Sequence, residues 1–162
     1  MTDQELLDAL LDQERRLQFD RFDNDDAIAL GLALVERGRV DKLAIAIDVT
    51  RNRQQIFHAA LAGTSADNDE WVRRKTNLVY RTGHCSFYSA IQWKISGLPF
   101  ERKFEALDIR DYAAHGGCFP VVVKGSGMVG TVTVSGLPQA EDHRIVAETI
   151  ERFLADGTKK KS

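Results

Sequence analysis

Apolar positions along this chain follow the helical period at both ends and the strand period between, with one long helical stretch in the middle. Leu6, Leu7, Leu10 and Leu11 recur at near-helical intervals behind Thr2 and Glu5, which have capping-box spacing, so a helix is predicted over Asp3–Arg16. "LQFDRF" (17–22) is a short candidate strand. Asp23 or Asn24 then caps a second helix, "DDAIALGLALVERG", ending at Gly38. Its apolar residues surround nearly the whole wheel, which predicts burial against something large, such as a sheet. "KLAIAIDVT" (42–50) and "RQQIFHAAL" (53–61) read as strands, and the short link Arg51-Asn52-Arg53 favours an antiparallel pair.

Asp67 and Glu70 open a long helical region, with Gly83 as a break and Gly97-Leu98-Pro99 as its end. "KFEALDI" (103–109) reads as a further strand. "FPVVVKGSGMVGTVTVSG" (119–136) is a hairpin of two β-branched runs around Gly125-Ser126-Gly127. A last helix is predicted over Gln139–Leu154. This order gives an α+β domain over 1–156, a central antiparallel sheet flanked by helices on both faces. A basic tail at 157–162 is expected to be disordered.

Composition narrows the function classes. With 22 basic and 24 acidic residues, net −2, no global field draws the chain to nucleic acid or an anionic membrane. No apolar run approaches the roughly 20 residues of a membrane span. The N-terminus lacks the pattern of a signal peptide, and Cys85 and Cys118 form no CxxC pair, so the expected compartment is the cytoplasm.

Candidate chemistry is concentrated in three places. Arg74, Asn77 and Arg81 fall at i, i+3 and i+7, with Arg73 four before Asn77, a stripe of donors suited to carboxylate or phosphate. The competing reading is a solvated or ion-paired face. His84 follows the Gly83 break, and His115 precedes two glycines that permit close approach; either is a candidate ligand contact or axial iron ligand. His143 sits in the first turn of the last helix, whose positive end disfavours protonation. His84-Cys85 with His115 and Cys118 is a poor match to zinc spacing, so no metal site is expected. No GxSxG elbow accompanies Ser86. The third place is Ser135-Gly136-Leu137-Pro138, a turn before a helix start whose free amides favour an anion, although Glu141 and Asp142 already occupy that positive end.

"DNDEWVRRKTNLVYRTGH", "HGGCFPV" and "GTVTVSGLPQAEDHRIV", in this order, resemble the uncharacterised protein family numbered 0303, which groups with heme-degrading-domain proteins of the HbpS and GlcG type. The resemblance runs from the first helix to the last. It implies a profilin-like layered fold and assembly into dimers or larger rings. It also implies heme as a candidate ligand, and a ligand site beside the segment holding Ser135 and Gly136. The leading expectation is an oligomeric small-molecule-binding protein, for heme or an organic acid. A non-catalytic adaptor whose ring presents a surface to protein partners, and an enzyme acting on a small organic acid, are the alternatives. Phe87, Ile91 and Ile95 on one stripe, with Trp93 off it, suggest a helix apolar on two sides, one of them for a partner subunit.

Overall fold

The first helix is capped as its sequence requires. Thr2 accepts from the Glu5 amide at 3.1 Å while the Glu5 carboxylate accepts from the Thr2 amide at 2.7 Å, opening α1 (Asp3–Arg16). The same reciprocal cap, between Asp23 and Asp26, starts α2 (Asn24–Val40). The remaining elements of this computed structural model are β1 (Ala46–Arg51), β2 (Gln54–Ala60), α3 (Ala66–Thr82), α4 (Ser86–Ser96), α5 (Phe100–Lys103), β3 (Cys118–Val123), β4 (Gly127–Ser135) and α6 (Gln139–Lys160). The structure describes residues 1–160, with side chains as far as Gly157; α6 takes in 157–160 of the expected tail, and 161–162 lie outside the described residues.

The four strands form one antiparallel sheet in the order β2-β1-β4-β3, with α2 and α6 on one face and α3 on the other. This is the α+β, profilin-like layered arrangement. Asn52 and Arg53 close the β1–β2 hairpin, both with positive φ (51° and 65°), so the loop has two residues rather than three. Such a turn matches the right-handed twist of the strands.

Strand alternation sends different chemistry to the two faces. Ile47, Val49, Val132, Val134, Phe119 and Val121 point toward α2 and α6 and join Leu30, Leu34, Ile145 and Ile150 in the main core. Asp48, Thr50, Thr131, Thr133 and Ser135 point toward α3, and all are buried. This second layer is held by hydroxyls: Thr50 to Thr131 at 2.7 Å, Thr50 to Tyr80 at 2.6 Å, and Thr76 of α3 to Thr133 at 3.0 Å. Each such bond contributes only about 1 kcal/mol net, but leaving a buried hydroxyl unpaired costs more.

Three sequence expectations need correction. Gly38 does not end α2, which continues to Val40; a side chain at Gly38 would collide with Leu61, so the glycine serves helix–sheet approach. "LQFDRF" forms only a single parallel bridge, Phe19 to Val123. "KFEALDI" is not a strand. Phe100, Phe104 and Leu107 recur at helical spacing and pack with Leu78, Trp93, Tyr112 and Ala114 in a small satellite core, so α5 and turns replace extended chain. Of the apolar residues of α4, Phe87 and Ile91 enter the main core and Trp93 the satellite, while Ile95 at the end of the stripe is 46% exposed. The outer face of α2 likewise leaves Ile28 and Leu32 exposed, the latter at 56%.

His143 is buried between Phe87 and Phe119, with Nε2 on Gln13 at 2.6 Å and Nδ1 without a partner among the described residues. Burial alone pushes its pKa down to about 4. In the unfolded chain it titrates near 6.5, so between these values the unfolded state takes up the proton and stability falls as pH falls. Urea denaturation should therefore show a loss on the order of 3 kcal/mol from this group between neutral pH and pH 4. The His143→Gln variant should lack that component and show a correspondingly flatter stability profile over the same range.

Candidate functional site

Lys75 lies on the sheet-facing side of α3 and is 3% exposed. Its ammonium donates to Asp142 Oδ2 of α6 at 3.2 Å and to the Val134 carbonyl of β4 at 3.3 Å. An ammonium has three protons, so one is left for something else. Asp142 also accepts from the Leu137 amide at 2.9 Å and the Gly136 amide at 3.3 Å. The turn Ser135-Pro138 therefore does hold an anion, and the anion is the chain's own carboxylate. Burial outweighs the partner's attraction for both groups, pushing Lys75 down and Asp142 up from their ordinary values.

Beside this pair is a recess of about 270 Å³ whose walls include Trp71, Lys75, His115, Ser135, Gly136 and Gln139. His115 enters from the loop between α5 and β3, its ring edge-on to Trp71 and Trp93 at 5.1 and 6.1 Å. Neither ring nitrogen has a hydrogen-bond partner among the described residues. Burial first, then the Lys75 and Arg74 charges, lower its pKa, so the imidazole is neutral at physiological pH with a free lone pair. The glycines after His115 permit close approach, but by the chain itself. A side chain at Gly116 would strike the Gln139 carbonyl, and one at Gly117 (φ 133°) the Val134 carbonyl and Lys75.

Of the residues expected from sequence, His115, Ser135 and Gly136 meet at this recess. Arg74 is not one of its walls; it stacks over the wall residue Trp71 at 4.2 Å, donates to the Ile109 carbonyl at 3.5 Å, and its charge reaches His115. The rest of the stripe points elsewhere. Arg73 binds Glu70, Asp111 and the Arg110 carbonyl, and Asn77 donates to the Asp111 carbonyl at 2.9 Å, so these donors fasten the 108–112 loop. Arg81 is exposed at the far end of α3.

His84 is separate from His115. Its Nδ1 meets Glu14 Oε2 at 2.9 Å, while Glu14 Oε1 accepts from the Cys85 amide at 2.7 Å, so Glu14 of α1 caps α4 and braces His84. Cys85 and Cys118 are fully buried, with thiol pKa values raised, Cys118 to about 12, which leaves neither as a nucleophile. Lys75 and Trp71 complete the site without having been singled out in the sequence, and Asp142 is the acid expected at the positive helix end.

A family model described as "Haem degrading protein HbpS-like" matches residues 22–151. A UPF0303 protein of Streptomyces coelicolor is 53% identical over 147 residues, covering 91% of this chain and 92% of that protein. The crystal structure of Ybr137w protein superposes with a TM-score of 0.84 at 28% identity, covering 91% of this chain and 87% of that one. HbpS shares the fold, with a TM-score of 0.65 at 19% identity over 85% of this chain and 92% of its own. No helix among the described residues is long and apolar enough to cross a membrane.

The contrast between Asp142 and the exposed stripe is measurable. Asp142→Ala removes the partner of a buried ammonium and two amides, and should cost about 3–5 kcal/mol in urea denaturation. Arg74→Ala combined with Arg81→Ala removes exposed charges and should cost about 0–1 kcal/mol.

Proposed function

We propose, on the premise that this chain belongs to the HbpS-like family, that it is a small-molecule-binding protein whose ligand is an organic acid held in the recess beside His115. The observation that carries this reading is Lys75, a buried ammonium with two protein acceptors and three protons, facing the same recess as a neutral, unpartnered imidazole. A ligand carboxylate would take the third proton, with Arg74 over Trp71 as a second cation. His115 would meet a donor group on the same ligand. The volume supports a ligand of this size, being below the roughly 300–1,000 Å³ of pockets that enclose drug-sized molecules.

Heme is the second reading, favoured by the family description and by an imidazole already in the form that binds iron. The recess admits an edge of a porphyrin, with Arg74 near enough to serve a propionate. Assembly belongs to both readings. A helix apolar nearly all round is stable when covered, and one chain leaves Ile28 and Leu32 of α2 uncovered. The protein is therefore expected to be a homo-oligomer, without nucleic-acid or membrane partners.

Calorimetric titration with succinate tests the first reading. His115→Ala and Arg74→Ala should each weaken binding at least several-fold, while His84→Ala binds as the parent does. Equal affinity in all four proteins would reject the site. Hemin titration tests the second: a Soret band altered in His115→Ala and unchanged in His84→Ala supports it, and identical spectra in all three mean nonspecific adsorption.

A further inference from the structure

On the other side of α3 is a larger open recess, about 450 Å³, between that helix and the β1–β2 hairpin. Its floor is Asp48, in the middle of the central strand and 4% exposed. Gln55 Nε2 donates to Asp48 Oδ1 at 2.6 Å; Oδ2 has no hydrogen-bond partner among the described residues. That oxygen is not among the fully buried unpartnered atoms of the described residues, so it opens onto the recess and can accept from a donor there. Directly across the ladder His58 does not supply that pair, because its Nε2 is engaged with Asp69 of α3 at 2.8 Å.

The mouth of the recess carries the opposite charge. Arg73 lines it, but its guanidinium is bound to Glu70 and Asp111. Arg53 lines it too, and its guanidinium has no carboxylate partner among the described residues. That guanidinium lies over the Tyr80 ring at 4.5 Å, and the Arg53 amide donates to the Tyr80 hydroxyl at 3.0 Å. Arg53 holds φ 65°, a conformation that disfavours any residue with a Cβ and that glycine or asparagine adopts more readily. Tyr80 thus fixes an arginine at a strained position, with its donors free at the rim. Thr50 lies between Asp48 and the turn on the same face, so the two charges are separated by more than one strand residue pair, on the order of 7 Å or more.

We propose that this recess is a second ligand site, selective for a small zwitterion, an aliphatic amine with a carboxylate several bonds away. The ammonium sits on Asp48 Oδ2 at the floor, and the carboxylate is met by Arg53 at the mouth. Asn77 lines the same wall, and its amide nitrogen is committed to Asp111, leaving its oxygen to accept from the ammonium. The raised pKa of Asp48, caused chiefly by burial, is consistent with a carboxyl awaiting a cation. The site does not depend on the pocket beside His115, which lies across α3.

The probe is 5-aminovalerate, with pentylamine and valerate as one-ended controls, followed by amide shifts in NMR spectra of the full chain. Saturable shifts at Asp48, His58 and Asn77 at millimolar 5-aminovalerate, at least ten-fold weaker for both controls, are expected. Asp48→Asn keeps the shape and the Gln55 contact and should abolish the shifts. Arg53→Gly should weaken binding at least five-fold while its Tm stays at or above the parent's, because glycine relieves the strained turn. Pentylamine binding as well as the zwitterion, parental binding by either variant, or no saturable shift with any probe would each overturn the proposal.

Discussion

The α3 side of the molecule depends on where one ammonium finds its acceptors. Lys75 is carried by a helix, donates to a carbonyl of β4 and to a carboxylate of α6, and so ties three elements at a single nitrogen. Asp142 extends the tie to the turn between β4 and α6 through two amides. Remove the charge and the turn loses its anchor; remove the turn and the buried charge loses its compensation. A buried ion pair of this kind adds little stability over apolar packing, yet it specifies one arrangement of helix, strand and turn. It also leaves polar atoms beside a cavity, where an apolar residue of the same size would have sealed it.

Local signals were legible in the sequence and distant ones were not. The Thr2–Glu5 capping box, the cap at Asp23, the β3–β4 hairpin, the Gly83 break and the last helix follow from residues within a few positions of one another. The segment 103–109 was misread because its apolar residues fit strand alternation only when Phe100 and Trp93, which they pack against, are ignored. In the site, His115, Ser135 and Gly136 stood out through neighbouring glycines and a turn. Lys75 did not. Within "WVRRKTNLVYR" it reads as one more cation, and only Asp142, 67 residues later, reveals that it is buried. The one available signal was its phase: Lys75 falls four before Val79 and three after Val72, both core positions. Asp48 carried a similar signal, an acid inside an otherwise apolar strand run.

The sheet is therefore two-sided in chemistry as well as in packing. Toward α2 and α6 it presents branched aliphatic side chains that exclude water. Toward α3 it presents a carboxylate and hydroxyls; the helix meets hydroxyls with Thr76 and Tyr80, while Gln55 of β2 bonds one oxygen of the carboxylate. Both recesses described above open on this polar side of the sheet.

The single bridge at Phe19 has a bearing on the free edge of the sheet. Its amide donates to the Val122 carbonyl at 2.8 Å and its carbonyl accepts from Lys124 at 2.9 Å, while the ring is buried against Phe22 and Phe153. One residue, pinned by its side chain, thus uses the ladder positions at which an intruding strand from another molecule would begin to pair. The edge of β3 is blunted against cross-molecule strand addition at the cost of a few residues rather than a full fifth strand. Strand pairing between copies through β3 is thereby disfavoured, and a variant that freed Phe19 would expose a template for β-aggregation.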